Sequence, residues 1–273
     1  MFLAVDIGGT KTLVATFTNG GKLSEQVKFK TPKQYPGFIS QLQEVIEGLS
    51  DNKFKGACVA LPGRIDRENG IGLRFGNLPW KNVHVKDDLK KFLSCSITVD
   101  NDANLAGLSE ARNVINDYKH VLYVTISTGI GTGIITDGNI DPDFAISEPG
   151  HMMVQYHDRM QMFEDIAAGS AIVKRYGKIA ADINDQKTWK EIVHIWALGF
   201  NAMIATINPE VIIIGGGVGT HFKKYGKLLK DELEKYSTPL TPVPPIIQAK
   251  HAEQAVIYGC YHLAKDTYEK SHR

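Results

Sequence analysis

Two stretches of this chain repeat one local design. VDIGGTKTLVATFTNGG (5–21) and VTISTGIGTGIITDGN (124–139) each run strand, small-residue turn, second strand, and then Asn-Gly or Asp-Gly. The closing dipeptides supply the positive φ angles of a tight turn. One copy in each half of the chain points to an internal duplication with two similar lobes. The length of 273 residues suits two lobes of roughly 100 to 150 residues, each able to bury a core.

Strand and helix signals alternate around the repeats. GACVAL (56–61) and CSITVD (95–100) read as short buried strands, and VIIIGGG (211–217) as a buried β-branched strand ending in glycines. FISQLQEVIEGL (38–49) and ANLAGLSEARNVI (103–115) have the apolar spacing of amphipathic helices. WKEIVHIWALGFNAMIATIN (189–208) predicts a long apolar helix stopped before Pro209. KKYGKLLKDELEKY (223–236) reads as a solvated helix with opposite charges three and four apart, STPLTPVPP (237–245) as a stiff connection before the strand IIQAK, and 252–270 as a helix packed against a lobe. The tail SHR is expected to fray. The whole is an α/β pattern.

Charge and composition exclude several classes. Lys+Arg 31 against Asp+Glu 30 leaves no positive field, which argues against a nucleic-acid binder. Hydrophobic residues at 43% and charged residues at 22% are those of a soluble globular protein. No stretch approaches the roughly 20 apolar residues of a membrane span. MFLAVDIGG is too short an apolar run for a signal peptide. Cys58, Cys95 and Cys260 are scattered and read as free thiols in a reducing compartment, so a cytoplasmic location is expected.

Glycine-rich turns of this kind have three common phosphate-binding meanings. A Rossmann fingerprint opens a helix, whereas LVATFT and GIITDG both continue as strands. No GxxxxGK followed by Ser or Thr occurs, so the P-loop fails too. What remains is a β-hairpin whose turn meets phosphate through backbone N–H groups. A single IGGT is more often only a turn. Two such hairpins together with VDNDAN (99–104) suit a pair gripping the β- and γ-phosphates of ATP. Asp6 is then placed to hold Mg²⁺ through water, with Thr10, Lys11, Thr128 and Gly129 touching phosphate oxygens.

VDIGGTKT, VDNDANLAGLSEA, TISTGIGTGIITDG, EPGH and the glycines of VIIIGGGVG, in this order, resemble the ROK family of bacterial sugar kinases and repressors, and within it the glucokinase-like kinases. The resemblance covers nearly the whole chain. It implies a two-lobed actin-like ATPase (ribonuclease H-like) α/β fold with a central cleft. The N-terminal lobe would span 1–112, with the first phosphate hairpin and the catalytic Asp. The C-terminal lobe would span 113–265, with the second hairpin and the adenosine glycines, and 266–273 would be a tail. ATP contacts fall on Asp6, Gly8, Gly9, Thr10 and Lys11 in the first hairpin and on Thr128, Gly129, Gly131 and Thr132 in the second.

Asp102 of VDNDAN matches the family's catalytic base. A carboxylate within hydrogen-bond reach can take the proton of a sugar hydroxyl as it attacks the γ-phosphate; the competing role is a helix N-cap. Asn101 can bind another hydroxyl, Glu148 and His151 of SEPGH match the sugar-binding pair, and Glu164 of FEDIAAG matches a second acid. Gly63 in ALPGRID matches a glycine that lets backbone approach the sugar, with Arg64 beside it. Asn77 in GNLPW is either a sugar contact or part of loop packing built on Trp80. Gly215, Gly216 and Gly217 border the adenosine or serve tight strand-to-helix packing, and both readings stay open.

One departure from the family pattern stands between His151 and Glu164. Many relatives carry a CxCGxxGxC zinc cluster there, completed by a histidine matching His151; this chain reads HMMVQYHDRMQMFE, without a cysteine. Structural zinc is commonly closed by four ligands, often thiolates, so no zinc site is expected from His151, His157 and Asp158. A metal-free loop packed through Met160, Met162 and Phe163 is expected instead.

The expected activity is ATP- and Mg²⁺-dependent phosphorylation of a hexose at its primary hydroxyl, foremost glucose to glucose 6-phosphate. Mannose, fructose or an N-acyl amino sugar are the alternative acceptors. A non-catalytic sugar-responsive regulator or sensor is the alternative class. The family's repressors carry an added N-terminal helix-turn-helix, for which a hairpin starting at residue 2 leaves no room. Relatives imply a homodimer or larger homo-oligomer, with neither nucleic acid nor membrane as partner.

Overall fold

The computed structural model describes residues 1–251 and 254–272. The chain forms two compact units, Met1–Ser109 with Gln254–Arg273, and Glu110–Glu253. The first unit holds strands β1 (Phe2–Ile7), β2 (Lys11–Phe17), β3 (Leu23–Lys30), β4 (Gly56–Leu61), β5 (Arg64–Asp66), β6 (Ile71–Arg74), β7 (Lys81–Val83) and β8 (Ser96–Asn101). Its helices are α1 (Tyr35–Glu47), α2 (Val85–Leu89) and most of α3 (Asp102–Asn113). The main sheet has the order β3-β2-β1-β4-β8. β1 runs antiparallel to β2 and parallel to β4, and β4 runs parallel to β8.

The second unit repeats this plan. β9 (His120–Ile126), β10 (Ile130–Thr136), β11 (Asn139–Ile140), β14 (Val211–Gly215) and β15 (Ile246–Gln248) form a sheet of order β11-β10-β9-β14-β15. The senses match strand for strand: β9 is antiparallel to β10 and parallel to β14, which is parallel to β15. A separate hairpin joins β12 (Met153–Tyr156) to β13 (Arg159–Met162). The helices are α4 (Phe163–Ala167), α5 (Gly169–Tyr176), α6 (Gln186–Ile207), α7 (Gly216–Gly219) and α8 (Gly226–Glu234). The last helix, α9 (Ala255–Ser271), belongs to the first unit.

Side-chain alternation explains why β1 is buried on both faces. Leu3, Val5 and Ile7 join α1 residues Phe38, Leu42 and Ile46 in one core. Phe2 and Ala4 join Phe17, Cys58 and the α9 residues Ile257, Cys260 and Tyr261 in another. The segment 254–265, expected in the C-terminal lobe, therefore packs in the first unit, because its apolar face covers that side of the sheet. Gly259 makes this possible: a Cβ there would overlap the carbonyl of Leu105. Ala252, Glu253 and Arg273 of the expected helix and tail lie outside the described residues, while Ser271 ends α9.

Three further expectations are corrected. Asp137 and Gly138 have the paired positive φ values of a tight hairpin turn, +50° and +69°. The Asn19-Gly20 turn differs, for the left-handed residue is Gly21 at +81°, seated over the Tyr261 ring. Helix α8 is not merely solvated, since Leu229, Leu233 and the preceding Tyr225 are buried with Trp189 and Trp196 of α6. The segment after His151 is a β-hairpin rather than a packed loop. Phe163 is fully buried, but Met160 is 60% exposed because its alternation points it away from the core.

Candidate active site

Each of the two repeated hairpins ends in a turn built to the same electrical plan. In the first, the N–H of Gly8 donates to the carbonyl of Lys11 (3.0 Å). The carbonyls of Gly8, Gly9 and Thr10 are taken by Thr31 Oγ1 (2.8 Å), Lys33 Nζ (3.3 Å) and the Thr31 N–H (3.0 Å). In the second, the carbonyls of Ser127, Thr128 and Gly129 accept from Gly169 N–H (2.7 Å), Ser170 Oγ (2.6 Å) and Ser127 N–H (2.8 Å). Among the described residues the N–H groups of Gly9, Thr10, Thr128 and Gly129 have no protein acceptor. A turn with its carbonyls occupied and adjacent N–H groups open is a receptor for anionic oxygen.

Close approach dictates the glycines. A Cβ on Gly9 would meet the Cβ of Asn77 at 2.6 Å. A Cβ on Gly129 would fall on the Glu164 carboxylate, which accepts the Ile130 N–H at 2.6 Å. Thr10 and Lys11 are exposed at the first turn. In the second hairpin Gly131 pairs with Thr125 and Thr132 with Val124. Thr132, expected to contact nucleotide, is only 6% exposed and its side chain is withdrawn into the sheet.

Around the first turn the unit gathers the acids. Asp6 stands at the end of β1, half-buried, and burial followed by the nearby charge of Asp102 pushes its carboxyl up to about 7, with Lys28 opposing. Asp102 opens α3, where its Oδ1 accepts the N–H of Ala103 (2.8 Å). Asn101 is the better cap, its Oδ1 accepting from both Ala103 (2.8 Å) and Asn104 (3.4 Å). Asn101 Nδ2 also donates to the carbonyl of Gly63 (3.2 Å). Gly63 has φ +92° and no room for a Cβ beside the Arg74 carbonyl, so the turn requires glycine. Arg64 is exposed at the start of β5. Asn77 is exposed against Gly9, while Trp80 is buried among Tyr35, Phe38 and Phe75 and donates Nε1 to the Lys33 carbonyl (2.9 Å).

The second unit brings Glu148, His151 and Glu164 together. His151 Nδ1 lies 3.8 Å from Glu148 Oε2, and both side chains keep about half their surface open. Partial burial raises the Glu148 carboxyl above its ordinary range; His151 opposes this and Glu164 adds to it. Gly150 between them packs on the carbonyl of Ile130, tying this segment to the second turn. His157 and Asp158 form the exposed tip of the β12–β13 hairpin, and among the described residues no three His, Cys, Asp or Glu side chains gather to hold a metal ion.

A cavity of about 410 Å³ opens beside the second turn, lined by Ser127, Thr128 and Ser170 at one side and by Val173, Ile179 and His221 elsewhere. It separates the three adenosine candidates. Gly217 lines it with open space above its Cα. Gly215 faces the Tyr123 ring, and Gly216, at φ +78°, packs on Thr125 and Ile126. Those two are packing glycines. Sequence reasoning missed Thr31, Lys33, Ser127 and Ser170. Only Ser127 carried a signal, standing inside the STG turn of the second copy.

The doubled sheet with an anion-receptive turn in each copy defines an actin-like ATPase fold, and the chain belongs to the ROK family, whose model matches residues 2–267. It is 27% identical to a glucokinase of Halalkalibacterium halodurans, over 87% of this chain and 86% of the relative. It is 25% identical to an N-acetyl-D-glucosamine kinase of Escherichia fergusonii, over 96% of this chain and 99% of the relative. Among solved structures it shares its fold with a ROK family glucokinase from Streptomyces griseus in complex with glucose and AMPPNP. The TM-score is 0.82 at 21% identity, covering 97% of this chain and 99% of that one.

Proposed function

We propose that this chain is an ATP-dependent sugar kinase that phosphorylates the primary hydroxyl of a hexose, with glucose as the leading acceptor. The observation that carries the reading is the juxtaposition of Asp102, Asp6 and the open N–H groups of the first turn within one unit. Asp102 accepts the proton of the attacking hydroxyl. The new bond forms between that oxygen and the γ-phosphorus as the bond to the β-phosphate oxygen breaks, and ADP leaves with the electron pair. The sugar contacts in this reading are Asn101, Gly63, Arg64 and Asn77 from the first unit and Glu148, His151 and Glu164 from the second.

The open N–H groups of Gly9, Thr10, Thr128 and Gly129 hold phosphate oxygens, and the cavity over Gly217 takes the nucleoside. The donor set also fits a divalent cation. Asp6 and Asp102 are two acids close enough that one raises the other, an arrangement that a cation relieves. Asp6 would hold Mg²⁺ through water, and the ion when bound supplies charge neutralisation for the phosphates.

An N-acyl amino sugar is the second acceptor, favoured by the N-acetyl-D-glucosamine kinase that aligns over 96% of this chain. A coupled ADP-release assay with ATP and Mg²⁺ across glucose, mannose, fructose and N-acetylated hexosamines tests both. Turnover of one sugar supports the kinase and names the acceptor. Sugar binding without ADP release would make the chain a sensor.

A further inference from the structure

Asp100 directly precedes the Asn101–Asp102 pair, and its side chain is 1% exposed. A buried carboxylate must have every lone pair engaged, and this one does. Its Oδ2 receives Arg67 Nε (2.8 Å) and Nη2 (2.5 Å). Its Oδ1 receives Asn104 Nδ2 (3.0 Å) and the N–H of Asn101 (2.7 Å). The residues on either side of Asp102 are thus fixed by one buried acid: Asn101 through its backbone and Asn104, on the first turn of α3, through its side chain.

Arg67 reaches Asp100 from a stiff support. It lies just after β5, on a turn whose shape is locked by Asp66, which accepts the Asn69 N–H (3.0 Å) and Nδ2 (2.8 Å). Gly70 closes the turn in the left-handed region at φ +67°, and its carbonyl accepts the Lys86 N–H (3.2 Å). Lys86 Nζ also holds the Glu68 carbonyl (3.1 Å). The Arg67 side chain, 31% exposed, therefore carries the position of a fixed turn to the end of β8. A planar fork offering two N–H groups to one carboxylate gives direction as well as charge, which a lysine does not.

We propose that Arg67 is a positioning residue for Asp102, acting through Asp100; the role rests on the reading of Asp102 as the base. Arg67 itself touches neither substrate nor reacting atoms. It sets where the Asp102 carboxylate stands, and a displacement of about an ångström in a catalytic group can cost about 10²-fold in rate.

A double-mutant cycle tests it. Steady-state kcat and both KM values are measured for wild type, Arg67→Ala, Arg67→Lys, Asp102→Asn and each Arg67 change combined with Asp102→Asn. The expected result is a kcat lowered about 10- to 100-fold in Arg67→Ala with KM for ATP within about threefold, and partial recovery in Arg67→Lys. On the Asp102→Asn background the same changes should lower kcat less than about threefold, since no base remains to position. Should Arg67→Ala fail to fold with Asp100 left unpaired, Arg67→Lys carries the same cycle alone. Equal factors on both backgrounds, or a folded Arg67 variant series with wild-type kcat, would overturn the proposal while leaving the kinase intact. Near-full kcat in Asp102→Asn alone would remove the base, and this proposal with it.

Discussion

Glu164 accepts the backbone N–H of Ile130 through Oε2 at 2.6 Å, so an acid on α4 fixes the turn that folds β10 back on β9. The same carboxylate fills the space where a Cβ on Gly129 would stand. From sequence, a branched residue at 129 obstructs phosphate alone. In the structure it also displaces Glu164. Gly129→Val is therefore expected to weaken nucleotide binding about tenfold or more, the scale of one charge-assisted hydrogen bond, and to weaken sugar binding with it. Calorimetry of each ligand separately reads this. A folded variant with unchanged nucleotide affinity would remove the second turn from the phosphate site.

Asp6 gives a pH dependence of defined sign. Its carboxyl is raised from 3.8 to about 7, first by burial and then by Asp102. Between those values the folded protein keeps a proton on Asp6 that the unfolded chain has released, so the contribution of Asp6 to stability falls as pH rises from about 4 to about 7 and levels above. In metal-free protein, Asp6→Asn should be more stable than wild type at pH 8, with the advantage shrinking by pH 5. Urea midpoints at the two pH values measure it; an equal difference at both would refute the assignment.

Gly259 carries the packing of α9 on α3. A Cβ there would overlap the carbonyl and Cα of Leu105. Gly259→Ala is expected to cost about 1 to 3 kcal/mol, as overpacked cores do. Equilibrium unfolding of the variant, with an unchanged urea dependence, would show it. A neutral substitution would mean that α9 sits further from α3.

These cases mark what the sequence can and cannot reveal. The hairpin turns, the acids at strand ends and the long helix α6 were legible because their signals are local: alternation, small residues in a row, and a proline after Asn208. The return of α9 to the first unit was not, because apolar spacing marks a buried face without saying what buries it. Glu164 and Ile130 are 34 residues apart, and Arg67 and Asp100 are 33 apart. Nothing in either segment advertises its partner. Gly215, Gly216 and Gly217 look alike in a row, and only the Tyr123 ring, a positive φ and open space tell them apart.

The β12–β13 hairpin makes a prediction about metal. Val154 and Phe163 bury the base of this hairpin, while His157 and Asp158 stand exposed at its tip. Purified protein is expected to hold no stoichiometric zinc. Dialysis against a strong chelator, followed by return of Mg²⁺, should leave activity and Tm unchanged. About one zinc per chain by elemental analysis, or a collapse reversed by zinc alone, would show that His151 and His157 bind metal after all.

If Asp102 takes the proton of the sugar hydroxyl, Asp102→Asn removes the acceptor and leaves the site otherwise intact. The amide keeps the shape and the hydrogen bond to Ala103 but cannot accept the proton. In a hexose-saturated ADP-release assay kcat should fall by about 10² or more, while the sugar Kd from calorimetry stays within about tenfold of wild type. A variant that binds sugar and turns over at a near wild-type rate would mean that Asp102 is not the base.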